Sequence, residues 1–190
     1  EMTNVMIIND SVNQAIREYF RQHEFYQVDP PILITAAVEG GSTLFSFDYF
    51  GMKAYLTQSS QFYLEAFIQS LEKVYCSAPS FRAEKSRTRR HLTEFWHLEA
   101  EEAFCDLWGS LKTQEEMIAH VAHHIAGERA RELRELGRDP GYLDSVEAPF
   151  EKIPYEQALS IVQRKGLEMS YGQDFGVEQE RVLVEEFEQP

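Results

Sequence analysis

A cation and a carboxylate two residues apart, Arg82 and Glu84, open the stretch of this sequence best equipped for chemistry. On an extended segment that spacing sends both side chains to one face, and Phe95, His97 and Glu99 share a face on the segment that returns. Between them Lys85, Arg87, Arg89, Arg90 and His91 place five potential cations within seven residues of an otherwise acidic chain. A cationic loop flanked by an aromatic plate and carboxylates favours a polyphosphate ligand. Spacing alone leaves a second reading open, a solvated charged hairpin with Phe95 in the core.

Two other groupings carry chemistry-bearing side chains. Gln61 and Glu65 stand one helical turn apart, so both can face a pocket, where a carboxylate accepts a hydrogen bond from a side-chain amide. An exposed helix position is the commoner role of a single glutamate. Glu116, His120, His123 and His124 recur at three- and four-residue spacing on one expected helix, which would permit a zinc site. The acidic stretch from Glu178 to Glu188 is most simply a solvated helix face.

The elements that must position these groups follow from periodicity and punctuation. Val12, Ala15, Ile16, Tyr19 and Phe20 predict an amphipathic helix capped at Asp10 or Ser11 and ending near Gln22 or His23. Phe25 to Val28 is then extended, and Pro30-Pro31 confines the chain to an irregular or edge position. Leu44 to Phe50 and Met52 to Thr57, divided by Gly51, predict a β-hairpin. Ser59 starts a helix through about Leu71; Lys73 to Ala83 and Glu94 to Phe104 form a long antiparallel pair around the charged loop. Leu107 to Leu136 is helical with a weak point at Gly127, Asp139-Pro140-Gly141 is a turn, and helices near Tyr155 to Lys165 and Val177 to Phe187 complete the chain.

Strands in the first half and helices in the second indicate α+β rather than strict alternation. The 190 residues, 43% hydrophobic and 13% aromatic, supply one substantial core and fit one domain. A net charge of −14 has the wrong sign for gripping phosphate backbones over a wide surface, so any nucleic-acid contact is local. Cys76 and Cys105 have neither metal-ligand nor redox spacing and read as reduced core thiols of a cytoplasmic protein. No apolar run approaches the roughly 20 residues that span a bilayer, so no membrane partner is expected. No Rossmann or P-loop glycine motif occurs, which leaves nucleotide binding to the basic loop.

FRAEKSRTRRHLTEFWHLEAE, from Phe81 to Glu101, resembles the second signature motif of class II aminoacyl-tRNA synthetases along its whole length. The resemblance implies that Arg82 clamps the ATP α-phosphate and that Glu84 sits at the adenosine or amino-acid end. Arg90 and His91 would approach the phosphates, Phe95 would stack on adenine and Glu99 would meet the substrate ammonium. The Asp10 helix followed by HEFYQVDPP is similar to the family's first motif, which implies a homodimer. EGGSTLF resembles the loop that closes over the amino acid, with Glu39 as the ammonium-binding carboxylate and the glycines permitting movement. The family assigns no metal role to the histidine-bearing helix, so a surface or interface stripe is the preferred reading there.

YLTQSSQFYLEAF separates the relatives: aspartyl enzymes carry a lysine where this chain has Leu64. The aspartate counter-charge is missing, while Gln61 and Glu65 suit an amide. Glu65 is the specificity candidate, since an aspartate beside it would bring two carboxylates together in a partly desolvated pocket. The chain thus resembles the catalytic core of an archaeal-type asparaginyl-tRNA synthetase, and the expected architecture is an antiparallel sheet flanked by helices. It would activate asparagine with ATP and Mg²⁺ and serve tRNA(Asn) in the intact enzyme. The family's third motif and its anticodon-binding barrel have no counterpart, so residues 1–190 are expected to form a partial catalytic domain, incomplete on its C-terminal side and weakly active at most. A non-catalytic dimeric paralogue that binds nucleotide or amino acid, or an asparagine synthetase of the same fold, would fit the same residues.

Overall fold

The computed structural model describes residues 1–35, 44–83 and 92–187. Glu39, Glu84, Arg90 and His91 lie outside them, as do Lys85, Arg87 and Arg89. Where composition alone indicated one core, the chain divides into two compact units, Arg17–Ser110 and a second made of Glu1–Ile16 with Leu111–Pro190.

Arg17–Ser110 carries the strands. Its longest elements are β5 (Lys73–Phe81) and β6 (Glu94–Glu102), antiparallel over nine paired positions from Lys73↔Glu102 to Phe81↔Glu94. The ladder continues one step further, where the Arg82 amide donates to the Thr93 carbonyl at 2.9 Å. β1 (Tyr26–Gln27) joins in parallel along the other edge of β5, so the sheet order is β1-β5-β6. Pro30-Pro31, which offer no backbone donors, lead the chain out of this sheet and into β2 (Leu33–Ile34) of a second. There β2 pairs with β4 (Met52–Leu56), and β4 pairs with β3 (Ser46–Tyr49), all antiparallel. The β3–β4 turn is Phe50-Gly51, both with positive φ (51° and 83°), which is why glycine stands at its second position. The sheets are tied where the Phe81 amide donates to the Thr57 carbonyl at 2.8 Å.

Side-chain alternation sorts β5 onto two faces. Val74 and Cys76 point toward α2 (Gln61–Leu71), where they form a buried cluster with Leu64. Tyr75 points the other way and stacks on Phe20 of α1 (Met2–Gln22), ring centroids 4.4 Å apart. Opposed residues of an antiparallel pair share a face, so Phe95, His97, Glu99 and Glu101, opposite Ser80, Ala78, Cys76 and Val74, all stand on the α2 side. Lys73 and Glu102 occupy the opposite face and pair at 2.8 Å.

The other unit is helical. It holds α4 (Ala130–Glu135), α5 (Pro140–Asp144), α6 (Tyr155–Arg164), α7 (Val177–Val184) and most of α3 (Leu107–Glu128). One cluster is Ala119, Ala122 and Val146 with Leu143 and Phe150; another is Leu159, Val162 and Met169 with Leu167, Phe175 and Leu183. Glu115 of α3 accepts from the Lys152 ammonium and the Phe150 amide, which fastens the segment after α5 to that helix. Among the described residues no helix is long and apolar enough to cross a membrane.

Three expectations are corrected. α1 starts at Met2, not near Asp10, because Ser11 is fully buried within the helix and accepts a hydrogen bond from the Arg129 guanidinium instead of capping. The α3 helix runs through Gly127 and ends at Glu128. Asp139-Pro140-Gly141 begins a helix: Asp139 caps it by accepting from the Gly141 amide at 2.9 Å, and Pro140 takes the first turn, where a missing N–H costs nothing.

Candidate functional site

The β5–β6 face beside α2 gathers most of the described residues singled out in the sequence. Arg82, just past β5, lies with its guanidinium carbon 5.6 Å from the centroid of the Phe95 ring, within cation–π range. His97 comes next along β6, its ring 5.5 Å from that of Phe95 and its Nδ1 3.5 Å from a carboxylate oxygen of Glu99. The order along one face is therefore cation, aromatic plate, imidazole, carboxylate. His97 belongs to this row although the motif reading gave it no role; its alternation with Phe95 and Glu99 was the available signal.

Glu99 reaches from the sheet to the helix. One carboxylate oxygen accepts from the Ser60 amide at 2.9 Å and the other from the Ser59 hydroxyl. Ser60 is the N-cap residue of α2, and its own side chain makes no capping hydrogen bond. A strand carboxylate thus supplies the helix cap, and its negative charge also suits the positive end of the helix dipole. The Ser59 hydroxyl in turn accepts from the Gln61 amide at 3.2 Å.

Gln61 and Glu65 are exposed on the first turns of α2, where the Gln61 amide nitrogen donates to a Glu65 oxygen at 2.8 Å. That pairing shows the amide–carboxylate recognition that the one-turn spacing allows. Glu101 extends the acidic group along β6: burial first, then the charges of Glu65 and Glu99, push its carboxyl above the ordinary 4.5. A region so charged favours an ammonium and disfavours a further carboxylate.

Leu64 does not line this region. It is 0% exposed and belongs to the core with Val74 and Cys76, because its position on α2 turns inward while Gln61 and Glu65 turn outward. Leu64 is part of the apolar core and presents no exposed surface beside Gln61 and Glu65. Behind the site Cys76 is a buried thiol, pushed above its ordinary value chiefly by burial. Cys105 is also free but only half-buried. Glu116, His120, His123 and His124 all lie on α3, and among the described residues no three His, Cys, Asp or Glu side chains are grouped to hold a metal ion.

The family described as tRNA synthetases class II (D, K and N) matches residues 1–189. The chain is 50% identical to the asparagine–tRNA ligase of Thermococcus gammatolerans over all 190 residues, and 44% identical to that of Thermoplasma acidophilum. In both cases it spans 44% of the relative's length. Among solved structures it resembles asparaginyl-tRNA synthetase from Pyrococcus horikoshii complexed with asparaginyl-adenylate, with TM-score 0.94, 47% identity, and 98% of this chain against 43% of that one. Aspartyl tRNA synthetase from Entamoeba histolytica follows at TM-score 0.73 and 25% identity, covering 96% of this chain and 34% of that one. A sheet face that puts a cation over an aromatic ring beside a helix-capping carboxylate, the signature motif on the same strands and a family match over nearly every residue lead to one conclusion: the chain belongs to the class II tRNA synthetases (D, K and N).

Proposed function

We propose that this chain forms the ATP- and asparagine-binding part of an asparaginyl-tRNA synthetase, which activates asparagine as its adenylate and transfers it to tRNA(Asn). The observation that carries the reading is the row Arg82, Phe95, His97, Glu99 on one sheet face, ending at the helix that bears Gln61 and Glu65. An adenine stacked at Phe95 puts the α-phosphate within reach of Arg82 and directs the amino acid toward Glu99. Glu84, Arg90 and His91 join the ATP contacts and Glu39 the amino-acid contacts.

The asparagine carboxylate attacks the α-phosphorus, the bond to the bridging oxygen breaks and pyrophosphate leaves. No protein base is needed, since the nucleophile is already ionised. Arg82 neutralises charge that develops on the phosphoryl oxygens, and alignment of the two substrates supplies much of the rest. Mg²⁺ would supply further charge neutralisation on the phosphates when bound, and among the described residues no group of ligands is assigned to hold it. Glu99 and its neighbours attract the ammonium, and Glu65 accepts from the side-chain amide while repelling an aspartate carboxylate.

The dimer proposed from the first motif is supported by Met2, Val5 and Met6, apolar and exposed near the start of α1. tRNA contacts are local, as the charge of −14 requires, and the setting is the cytoplasm.

Calorimetric titration with ATP tests the reading. Saturable binding that Arg82→Ala weakens, with its melting temperature unchanged, supports it; binding indifferent to Arg82 contradicts it. Asparagine-dependent pyrophosphate exchange separates a synthetase from a ligand sensor. Formation of asparagine from aspartate and ammonia would favour the synthetase-like biosynthetic alternative.

A further inference from the structure

If the site binds asparagine as proposed above, the substrate ammonium has a competitor for Glu99 on the same strand. Nδ1 of His97 lies 3.5 Å from the Glu99 oxygen that accepts from the Ser60 amide, and 3.5 Å from the Ser80 hydroxyl. Ser80 is 0% exposed, so water does not compete for its hydroxyl. The His97 side chain is 31% exposed and open to protons from solvent. The two neighbours ask different things of Nδ1. A neutral imidazole with its proton on Nε2 accepts at Nδ1, which suits the Ser80 hydroxyl and not a carboxylate. An imidazolium donates from both nitrogens, and its Nδ1–H then serves Glu99.

We propose that His97 is a proton-operated switch on amino-acid binding: once protonated, its imidazole becomes a counter-ion to Glu99 and competes with the incoming ammonium. The other charged or titratable groups described on this face are Glu101 on β6, Glu65 on α2, the Cys76 thiol on β5, and Arg82 at the far end of the row beyond Phe95. A neutral His97 leaves the Glu99 carboxylate to the substrate. Binding and protonation therefore oppose each other, and linkage makes the opposition reciprocal: acid weakens asparagine binding, and bound asparagine expels the ring proton to solvent.

Calorimetric titration with asparagine from about pH 8 to about pH 5.5, the span in which histidine ordinarily changes charge, reads both effects. Buffers of low and high ionisation enthalpy give the protons released. Wild type should lose roughly tenfold in affinity over that span, the weight of one charge close to another at a half-buried site, and should release protons on binding. His97→Gln stays polar but cannot take the proton, so it should lose far less affinity and release fewer protons. What remains in that variant belongs to Glu101, which both chains carry. A cooperative urea transition at the lowest pH checks that each chain is folded throughout.

Ser80→Ala removes the uncharged partner of Nδ1 and leaves Glu99 in place. Its loss of affinity should set in at higher pH than in wild type, and it serves if His97→Gln fails to fold. Equal pH profiles in wild type and His97→Gln, or in wild type and Ser80→Ala where the first variant does not fold, overturn the switch alone. Wild type that binds no asparagine even at about pH 8, where histidine is ordinarily neutral, overturns the reading of the site on which it rests.

Discussion

Glu99 in the strand-bearing unit and Glu115 in the helical one each fasten one element to another, and their partners differ in charge. Glu115 meets the Lys152 ammonium and the Phe150 amide, and the lysine above all holds its carboxyl below the ordinary 4.5. Glu99 is held by an uncharged hydroxyl and an uncharged amide, with the His97 ring at 3.5 Å. Glu65 and Glu101 add negative charge around it, and the Glu101 carboxyl is pushed upward by burial first and then by the charges of Glu65 and Glu99. Glu115 has its counter-ion within the protein and serves the fold. Among the described residues Glu99 has no lysine or arginine partner, which suits the ammonium-binding role proposed for it.

Giving the second region a lysine of its own is the most drastic way to test the contrast. Leu64→Lys places an ammonium where the side chain is 0% exposed against Val74 and Cys76. The expected result is loss of at least about 3 kcal/mol of stability, read as a collapsed urea midpoint. A stable variant with improved aspartate binding would show that Leu64 reaches the site.

Phe95→Ala removes the aromatic plate. ATP should bind weaker by about 1 to 3 kcal/mol, with asparagine affinity nearly unchanged in calorimetry. Equal losses for both ligands would erase the separation between the two ends of the row.

Lys152→Met strips Glu115 of its counter-ion. The melting temperature should fall by a few degrees while ATP and asparagine titrations stay as in wild type.

The pH dependence of stability and binding gives smaller effects of opposite sign. Glu115 has a lowered pKa, so its contribution to stability is complete above 4.5 and is lost as pH falls through its folded value. Lys152→Met should flatten that acid loss. Glu101 has a raised pKa, so its contribution is present below 4.5 and disappears as pH rises through its folded value. An incoming ammonium favours ionised Glu101, and asparagine affinity should therefore weaken on acidification through that range. Affinity constant from pH 7 down to 4.5 would place Glu101 out of reach of the ligand.

Much of this arrangement was legible because strands advertise faces. The period-two alternation of Phe95, His97 and Glu99 put them together before any coordinates, and Gly51 marked the hairpin that the positive φ angles at Phe50 and Gly51 require. The helix starts were harder. Asp10-Ser11 and Asp139 both offer cap-forming side chains, yet the first pair lies inside α1 and Asp139 opens α5. The difference at Ser11 is a bond from Arg129, 118 positions away, which no local pattern contains. The cap on α2 was hidden for the same reason, because Glu99 is 39 residues from Ser60. The comparison with lysine at Leu64 said nothing of where that side chain points, and its packing against Val74 and Cys76 makes it core.

The most direct test of the account is a side-by-side calorimetric titration of the wild-type chain with asparagine and with aspartate at neutral pH. The account predicts saturable binding of asparagine and binding of aspartate weaker by roughly tenfold or more, the difference expected when a second carboxylate meets Glu65. Aspartate binding as tight as asparagine would contradict it, since the acidic group around Glu99 could not then be reading a side-chain amide.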